Sequence, residues 1–362
     1  MKKIIILHDT FLYKWWWERL IMMMAKTLKS DIASWFFSKG SFDLRKEWFE
    51  WKLISLSNEI FKKWLRHIKL KYAFLFKTKF LKDYDIVIFS WDSISWVRNC
   101  NKNQKKIYYC HTPPRYLYDL HNLYLQKVPF LLRPFFKLFC YIFKKMYEKD
   151  INKMDIILTN SINTKNRIKK FLNLDSQVLY PPVDLKEFKY IDTSDYYISF
   201  ARLADAKRVD MIVEAFRLMS DKKLVIIYWE NDPAKEKIKN LAKWYDNIVF
   251  KTLPWNKWFT NYIWNSIASI YIPIDEDFWM SPVESMSAWK PVIWVNDWWL
   301  KESIIHNKTG ILLDKNLKKE DIVNAVKFLT PQKAIEMKTD CEKRAWDFSL
   351  EEFKKNLLKL IG

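Results

Sequence analysis

Apolar residues fall along the chain in short, nearly continuous runs, separated by longer stretches with helical spacing. In the first half the runs are Lys3–Leu7, Asp85–Phe89, Lys106–Cys110, Asp155–Thr159 and Gln177–Leu179, rich in Ile, Val and Tyr. Strands buried on both faces read this way, because neither face meets water. Between them the spacing predicts helices over Glu18–Lys29, Leu131–Lys149 and Asn163–Leu172, the last capped by Asn160-Ser161. The second half repeats the rhythm with strands at Tyr196–Phe200, Lys223–Ile227, Asn247–Phe250, Ser269–Ile272 and Pro291–Val295. Helices are expected there over Val209–Met219, Pro233–Lys243 and Pro282–Ala288. Alternating strands and helices predict parallel sheets covered on both faces. Two prolines in Tyr180-Pro181-Pro182-Val183-Asp184 interrupt any element and mark a linker. At 362 residues the chain exceeds one ordinary domain. The expectation is an α/β protein with domains 1–182 and 183–345. A C-terminal helix within 346–362 is a candidate for crossing back to the first domain. Ser349 and Glu352 form the capping-box pattern that opens it.

Charge divides the halves. Residues 1–182 hold 34 Lys and Arg against 15 Asp and Glu; residues 183–362 hold 28 against 27. The first domain therefore carries nearly all of the net +20. Such a field attracts anionic lipid, nucleic acid or phosphorylated substrates. Two of its segments, Phe61–Lys82 and Val128–Lys149, are basic and aromatic together, the composition of helices that lie in a membrane interface with lysines reaching outward. An amphipathic helix docked on its own sheet reads the same way. No apolar run approaches the roughly 18 residues of a spanning helix. Cys100, Cys110, Cys140 and Cys341 show no paired spacing, which argues against a disulfide framework or a zinc site. The expected location is cytoplasmic, peripheral to the inner face of the cell membrane.

Tryptophan and glycine usage is abnormal. The chain has 3 glycines and 20 tryptophans, whereas average usage of about 7% predicts about 25 glycines. Trp15, Trp16 and Trp17 follow the first strand, Trp229 follows another, and Trp298 and Trp299 follow Asn296-Asp297. These places call for positive φ or close backbone approach, which glycine supplies and tryptophan does not. Most of the tryptophans are accordingly expected to be glycine in the working protein, from a gene whose UGA codons are decoded as glycine. The alternative is a tryptophan-rich surface that stacks on carbohydrate, but stacking residues do not collect at turns.

The most specific stretch is Asp275–Lys301, DEDFWMSPVESMSAWKPVIWVNDWWLK. Read with glycine at its tryptophans, it closely resembles the donor site of glycosyltransferase family 4, with Glu276 and Glu284 as the E-x7-E pair. Arg202-Leu203 with Lys207 resembles the family's R-L-x-x-x-K segment, and Lys14–Arg19 its glycine-rich loop. His111-Thr112-Pro113-Pro114-Arg115-Tyr116 and Thr159-Asn160-Ser161 match as well, the former closest to the branch of O-antigen mannosyltransferases. The resemblance covers nearly the whole chain in order, and the one departure is Trp for Gly.

The resemblance implies a GT-B fold, two doubly wound Rossmann-like domains facing a central cleft, and a retaining transfer of a hexose. GDP-mannose is the expected donor and a lipid-linked or polysaccharide acceptor the partner, beside an anionic membrane surface. Nucleic acid is not expected, since no helix-turn-helix, RNP or zinc-finger pattern occurs. Cleavage of a nucleotide-sugar bond passes through an oxocarbenium-like state, and stabilising the departing diphosphate gives most of the help. Arg202 offers a bidentate fork and Lys207 a point charge. Backbone N–H groups at positions 15–17 and 298–299 would face the same anion. With these cations in place no metal or other cofactor is expected. The resemblance assigns the nucleotide ribose to Glu284 and a sugar hydroxyl to Glu276. Phe278, Trp279 and Met280 form the donor loop, in which an indole at 279 would fill the sugar's space. His111, at a strand's carboxyl end, and Glu276 are the expected catalytic groups beside the sugar, with His8 as a further cleft candidate. A nucleotide-sugar epimerase, a basic binding protein and an inactive scaffold are the competing readings.

Overall fold

The computed structural model describes residues 2–12, 16–38, 41–42, 50–57, 77–188, 195–252, 257–274, 280–296 and 302–362. The chain divides into two compact units, Met1–Pro181 with Lys354–Gly362, and Pro182–Phe353.

The first unit is built on a parallel sheet whose described strands run in the order β3-β2-β1-β4-β5-β6-β7. These are β1 (Ile4–His8), β2 (Asp31–Ser34), β3 (Leu53–Ser55), β4 (Ile86–Ser90), β5 (Lys105–Cys110), β6 (Ile156–Thr159) and β7 (Gln177–Val178). Helices α1 (Trp16–Leu28), α2 (His121–Lys127), α3 (Arg133–Ile151) and α4 (Ile162–Leu172) connect them. All five residues of β4 are buried, as an apolar run inside a doubly covered sheet must be. Arg98 clasps the buried Asp150 of α3 through Nε (3.1 Å) and Nη2 (3.0 Å). That pair pins α3 beneath the 3-10 turn Trp91–Asn99 that leaves β4. Ser161 caps α4, its Oγ accepting the Thr164 N–H at 3.1 Å.

The second unit repeats the plan in the order β10-β9-β8-β11-β12-β13. Its strands are β8 (Tyr196–Ser199), β9 (Lys223–Tyr228), β10 (Ile248–Thr252), β11 (Ser269–Tyr271), β12 (Val292–Val295) and β13 (Gly310–Leu313), again all parallel. Its helices are α5 (Val209–Phe216), α6 (Lys235–Ala242), α7 (Lys257–Asn265), α8 (Ser281–Ser287), α9 (Lys319–Phe328), α10 (Pro331–Glu336) and α11 (Lys338–Trp346). The final helix, α12 (Leu350–Ile361), lies within the segment 346–362, whose first residue, Trp346, still belongs to α11. Ser349 Oγ accepts the Glu352 N–H at 3.1 Å, the capping bond that the sequence announces. The helix's last turns group with the first unit, where Lys105 Nζ donates to the Ile361 carbonyl at 2.8 Å.

Each sheet reverses its winding once, between β1 and β4 in the first unit and between β8 and β11 in the second. At such a switch point the flanking loops diverge and leave a crevice at the strands' carboxyl ends, where ligands of open α/β sheets bind.

Gly310 opens β13 beside Val292 of β12. A Cβ there would stand 2.1 Å from the Val292 carbonyl oxygen, so the two strands approach only because the residue is glycine. Gly310→Ala is expected to cost about 2–3 kcal/mol by forcing strands apart, measured by urea denaturation. Gly362→Ala at the chain's end is expected to stay within about 0.5 kcal/mol.

Candidate active site

In the second unit the loop leaving β8 carries Arg202 and Lys207, and the loop leaving β11 leads into α8 with Glu284. Both loops flank the switch point. The Ile274 N–H donates to the Ala206 carbonyl at 2.8 Å and stitches them together. Arg202 is mostly exposed, and its Nε lies 3.4 Å from Asp232 Oδ1. Asp232 follows β9 and is buried. Its Oδ2 accepts the backbone N–H groups of Leu203 and Trp229, each at 3.0 Å. One carboxylate thus fixes two strand-end loops and holds the guanidinium stem while leaving the fork in solvent. Asp232 carries no motif of its own in the sequence, since its partner Leu203 meets it only once the strands are aligned.

Lys207 ends a 3-10 turn, with Nζ 5.4 Å from the Tyr271 ring centroid, a cation–π contact. Arg208, beside it, has another task. Its guanidinium donates to the carbonyls of Ile272 (2.6 Å), Lys315 (3.2 Å) and Pro273 (3.4 Å), which ties the loop after β11 to its neighbours. Glu284 is half-buried in the first turn of α8, just after Pro282, and its N–H donates to the carbonyl of the buried Met280 at 2.8 Å. Ser285 Oγ donates to Ser269 Oγ at 2.7 Å and locks α8 onto β11. Glu276, Phe278 and Trp279 of the donor loop, and Trp15, Trp298 and Trp299, lie outside the described residues.

In the first unit three side chains meet at the carboxyl ends of the adjacent strands β1, β4 and β5. His8 Nδ1 is 3.2 Å from Ser90 Oγ, and Ser90 Oγ is 3.0 Å from His111 Nε2. Ser90 was absent from the sequence reading, since a serine ending an apolar strand carries no pattern of its own. All three are buried. Burial pushes the His8 imidazole from its ordinary 6.5 down to about 3. His111 is pushed well below its ordinary value, first by burial and then by the neighbouring His8. Both rings are therefore neutral near pH 7, and His111 offers a dipole and a lone pair with no fixed positive charge. Its backbone carbonyl accepts the Thr164 hydroxyl at 3.2 Å.

Aromatic rings close over His111. The Trp91 indole stacks on it at 4.9 Å between centroids and 15° between planes, and Trp16 meets it edge-on at 5.6 Å. Trp16 and Trp17 differ from expectation in one respect. Helix α1 starts at Trp16, so both lie inside its first turn, and neither has positive φ. Trp229, expected at a left-handed turn, also has ordinary φ. Left-handed tryptophans do occur, at Trp91 (φ 58°) and Trp289 (φ 60°).

The second unit thus sets two cations and a carboxylate on loops at its switch point, and the first sets two neutral imidazoles at the carboxyl ends of its strands. Comparison with known proteins gives the family. Residues 184–347 match the family described as Glycosyl transferases group 1. The second unit is a domain of that family, and the chain is a glycosyltransferase with the GT-B fold. Over 310 residues it is 26% identical to the alpha-1,3/1,6-mannosyltransferase ALG2 of Dictyostelium discoideum, spanning 72% of this chain and 70% of that protein. Among solved structures it resembles a sucrose-phosphate synthase from Thermosynechococcus elongatus (TM-score 0.77, 14% identity, 99% of this chain and 98% of that one). It also resembles HepE of Anabaena in complex with UDP-glucose (TM-score 0.73, 12% identity, 99% of both chains).

Two outcomes test this geometry. Asp232→Ala leaves the Leu203 and Trp229 N–H groups without their buried acceptor and is expected to cost about 1–3 kcal/mol in urea denaturation. The second concerns pH. The folded pKa of His8 lies below its unfolded value, so between pH 6.5 and about 3 the unfolded chain takes up a proton that the folded chain refuses. Stability is full above that window and falls as the pH drops through it. The slope is expected to be shallower in His8→Asn, read from denaturation midpoints across the window.

Proposed function

We propose that this glycosyltransferase moves mannose from GDP-mannose, with retention of anomeric configuration, onto a lipid-linked or polysaccharide acceptor at an anionic membrane surface. The observation that carries the donor half is Arg202, held at the switch point by the buried Asp232 with its fork turned to solvent. A diphosphate fits that fork bidentately, and Lys207 on the same loop adds a second cation. As the bond to the anomeric carbon breaks, negative charge grows on the diphosphate, and cations fixed in advance stabilise it without reorganising. Glu284 accepts from the ribose hydroxyls and Glu276 from a sugar hydroxyl. The neutral His111 presents its electron-rich ring to the oxocarbenium-like carbon, where an imidazolium would repel it. No step in this scheme calls for a metal. The choice of mannose rests on the mannosyltransferase named above as a relative, and that of a nucleotide-sugar donor on the UDP-glucose complex of a structural neighbour.

The membrane half rests on helix α3 and the turn before it. Phe130, Leu131, Leu132, Phe135, Leu138 and Ile142 are all exposed, the first two at 77% and 81%. Arg133, Lys137 and Lys145 stand among them. The helix docks through Cys140, Tyr147, Asp150 and Ile151, while Phe135 and Leu138 of its N-terminal half stay exposed. No described helix is long and apolar enough to cross a membrane. A mixed apolar and basic face of this size suits the headgroup region of an anionic bilayer. The other basic segment, Phe61–Lys82, lies mostly outside the described residues.

A thermal-shift screen of nucleotide sugars tests the donor, using the chain with glycine at the tryptophan positions of the donor loops. GDP-mannose is expected to raise the Tm, and Glu284→Ala to abolish the rise. A folded protein indifferent to every nucleotide sugar would refute the donor assignment. Sedimentation with vesicles tests the surface. Binding is expected to phosphatidylglycerol vesicles, with little to neutral ones, and to fall about tenfold in a Leu131→Asp, Phe135→Asp double variant.

A further inference from the structure

Six non-glycine residues among those described have left-handed φ, and two of them are tryptophans, although tryptophan supplies only 20 of 362 residues. No described glycine has positive φ. In that conformation the Cβ crowds the following carbonyl, and a bulky aromatic residue is an outlier there.

The setting of Trp289 makes the conflict specific. It follows the C-cap Ala288 of α8. Its N–H donates to the Met286 carbonyl at 2.9 Å, and the Lys290 N–H donates to the Ser285 carbonyl at 3.0 Å. These are the two bonds of the Schellman motif, whose left-handed residue is usually glycine, and Pro291 follows as it often does after such an end. Elsewhere the chain meets the same demand with a tolerant residue: α4 ends on Asn173 at φ 54°. Arg208, also left-handed, is held by the carbonyls that its guanidinium binds. Trp91 presents the demand a second time, at the end of β4.

Trp91 also obstructs. Its ring lies flat on His111, which is only 3% exposed, and His111 Nδ1 has no hydrogen-bond partner among the described residues. A buried ring nitrogen left without a partner costs stability unless a ligand or water completes it. Glycine at 91 relieves the backbone and removes the ring that lies on the His111 face in one change.

We propose that positions 91 and 289 are glycine in the protein its own cell makes, the codon at each being UGA decoded as glycine, and that His111 is thereby open to a hydrogen-bonding ligand. The residue assignment stands on backbone geometry alone. Only the identity of the ligand, the donor sugar, rests on the transferase reading.

The gene sequence and peptide mass spectrometry of the native protein test it. TGA codons at both positions, with peptides of glycine mass, are expected. TGG codons, or peptides that carry tryptophan there, would overturn it. The recombinant chain gives an independent reading. Trp289→Gly is expected to raise the Tm above that of Trp289→Ala, since alanine keeps the offending Cβ. A glycine variant no more stable than the alanine variant contradicts the conformational argument. None of these measurements involves a nucleotide sugar, so their failure and that of the transferase reading are told apart.

Discussion

A parallel sheet covered on both faces leaves its strands no polar surface. Their side chains must be apolar, as in β4, where every residue is buried. Polar chemistry is therefore displaced to the strand ends, and only the carboxyl ends at a switch point leave room for a ligand. Both units obey this constraint. His8, Ser90 and His111 end or follow adjacent strands of one sheet, and Arg202 and Glu284 flank the reversal of the other. The loops that carry these groups are then fixed by buried polar anchors, Asp232 in the second unit and Ser90 in the first.

The two units supply opposite electrostatics. In the second, charge is exposed and fixed in place: Arg202 keeps its fork in solvent while its stem is held. In the first, burial removes charge, since both imidazoles are neutral near pH 7. Salt screens the exposed Arg202 more than the rings of the first unit, because the histidines lie out of solvent.

Most of this architecture was legible in the sequence because parallel strands write continuous apolar runs. Ten such runs were readable, each within a residue or two of its strand. Three strands escaped, Asp31–Ser34, Leu53–Ser55 and Gly310–Leu313. Motif spacing pointed to Arg202, Lys207, Glu284 and His111, because recognition of a nucleotide sugar fixes residue types at set distances along the chain. Supporting residues were not legible. Asp232 and Ser90 act on partners 29 and 21 residues away, and such pairings exist only once the strands are aligned. The glycine deficit was legible as composition, but composition did not separate positions. Backbone conformation does: it singles out 91 and 289 and leaves 16, 17 and 229 in ordinary regions.

The central claim is that Arg202 reads the diphosphate of a nucleotide donor. Calorimetric titration of GDP and of guanosine into the full-length chain, with glycine in the donor loops, addresses it directly. GDP is expected to bind at least about tenfold more tightly than guanosine, and Arg202→Met to narrow that difference while leaving guanosine affinity unchanged. If Arg202→Met keeps the full preference for GDP, the diphosphate lies elsewhere and the account of the site is wrong.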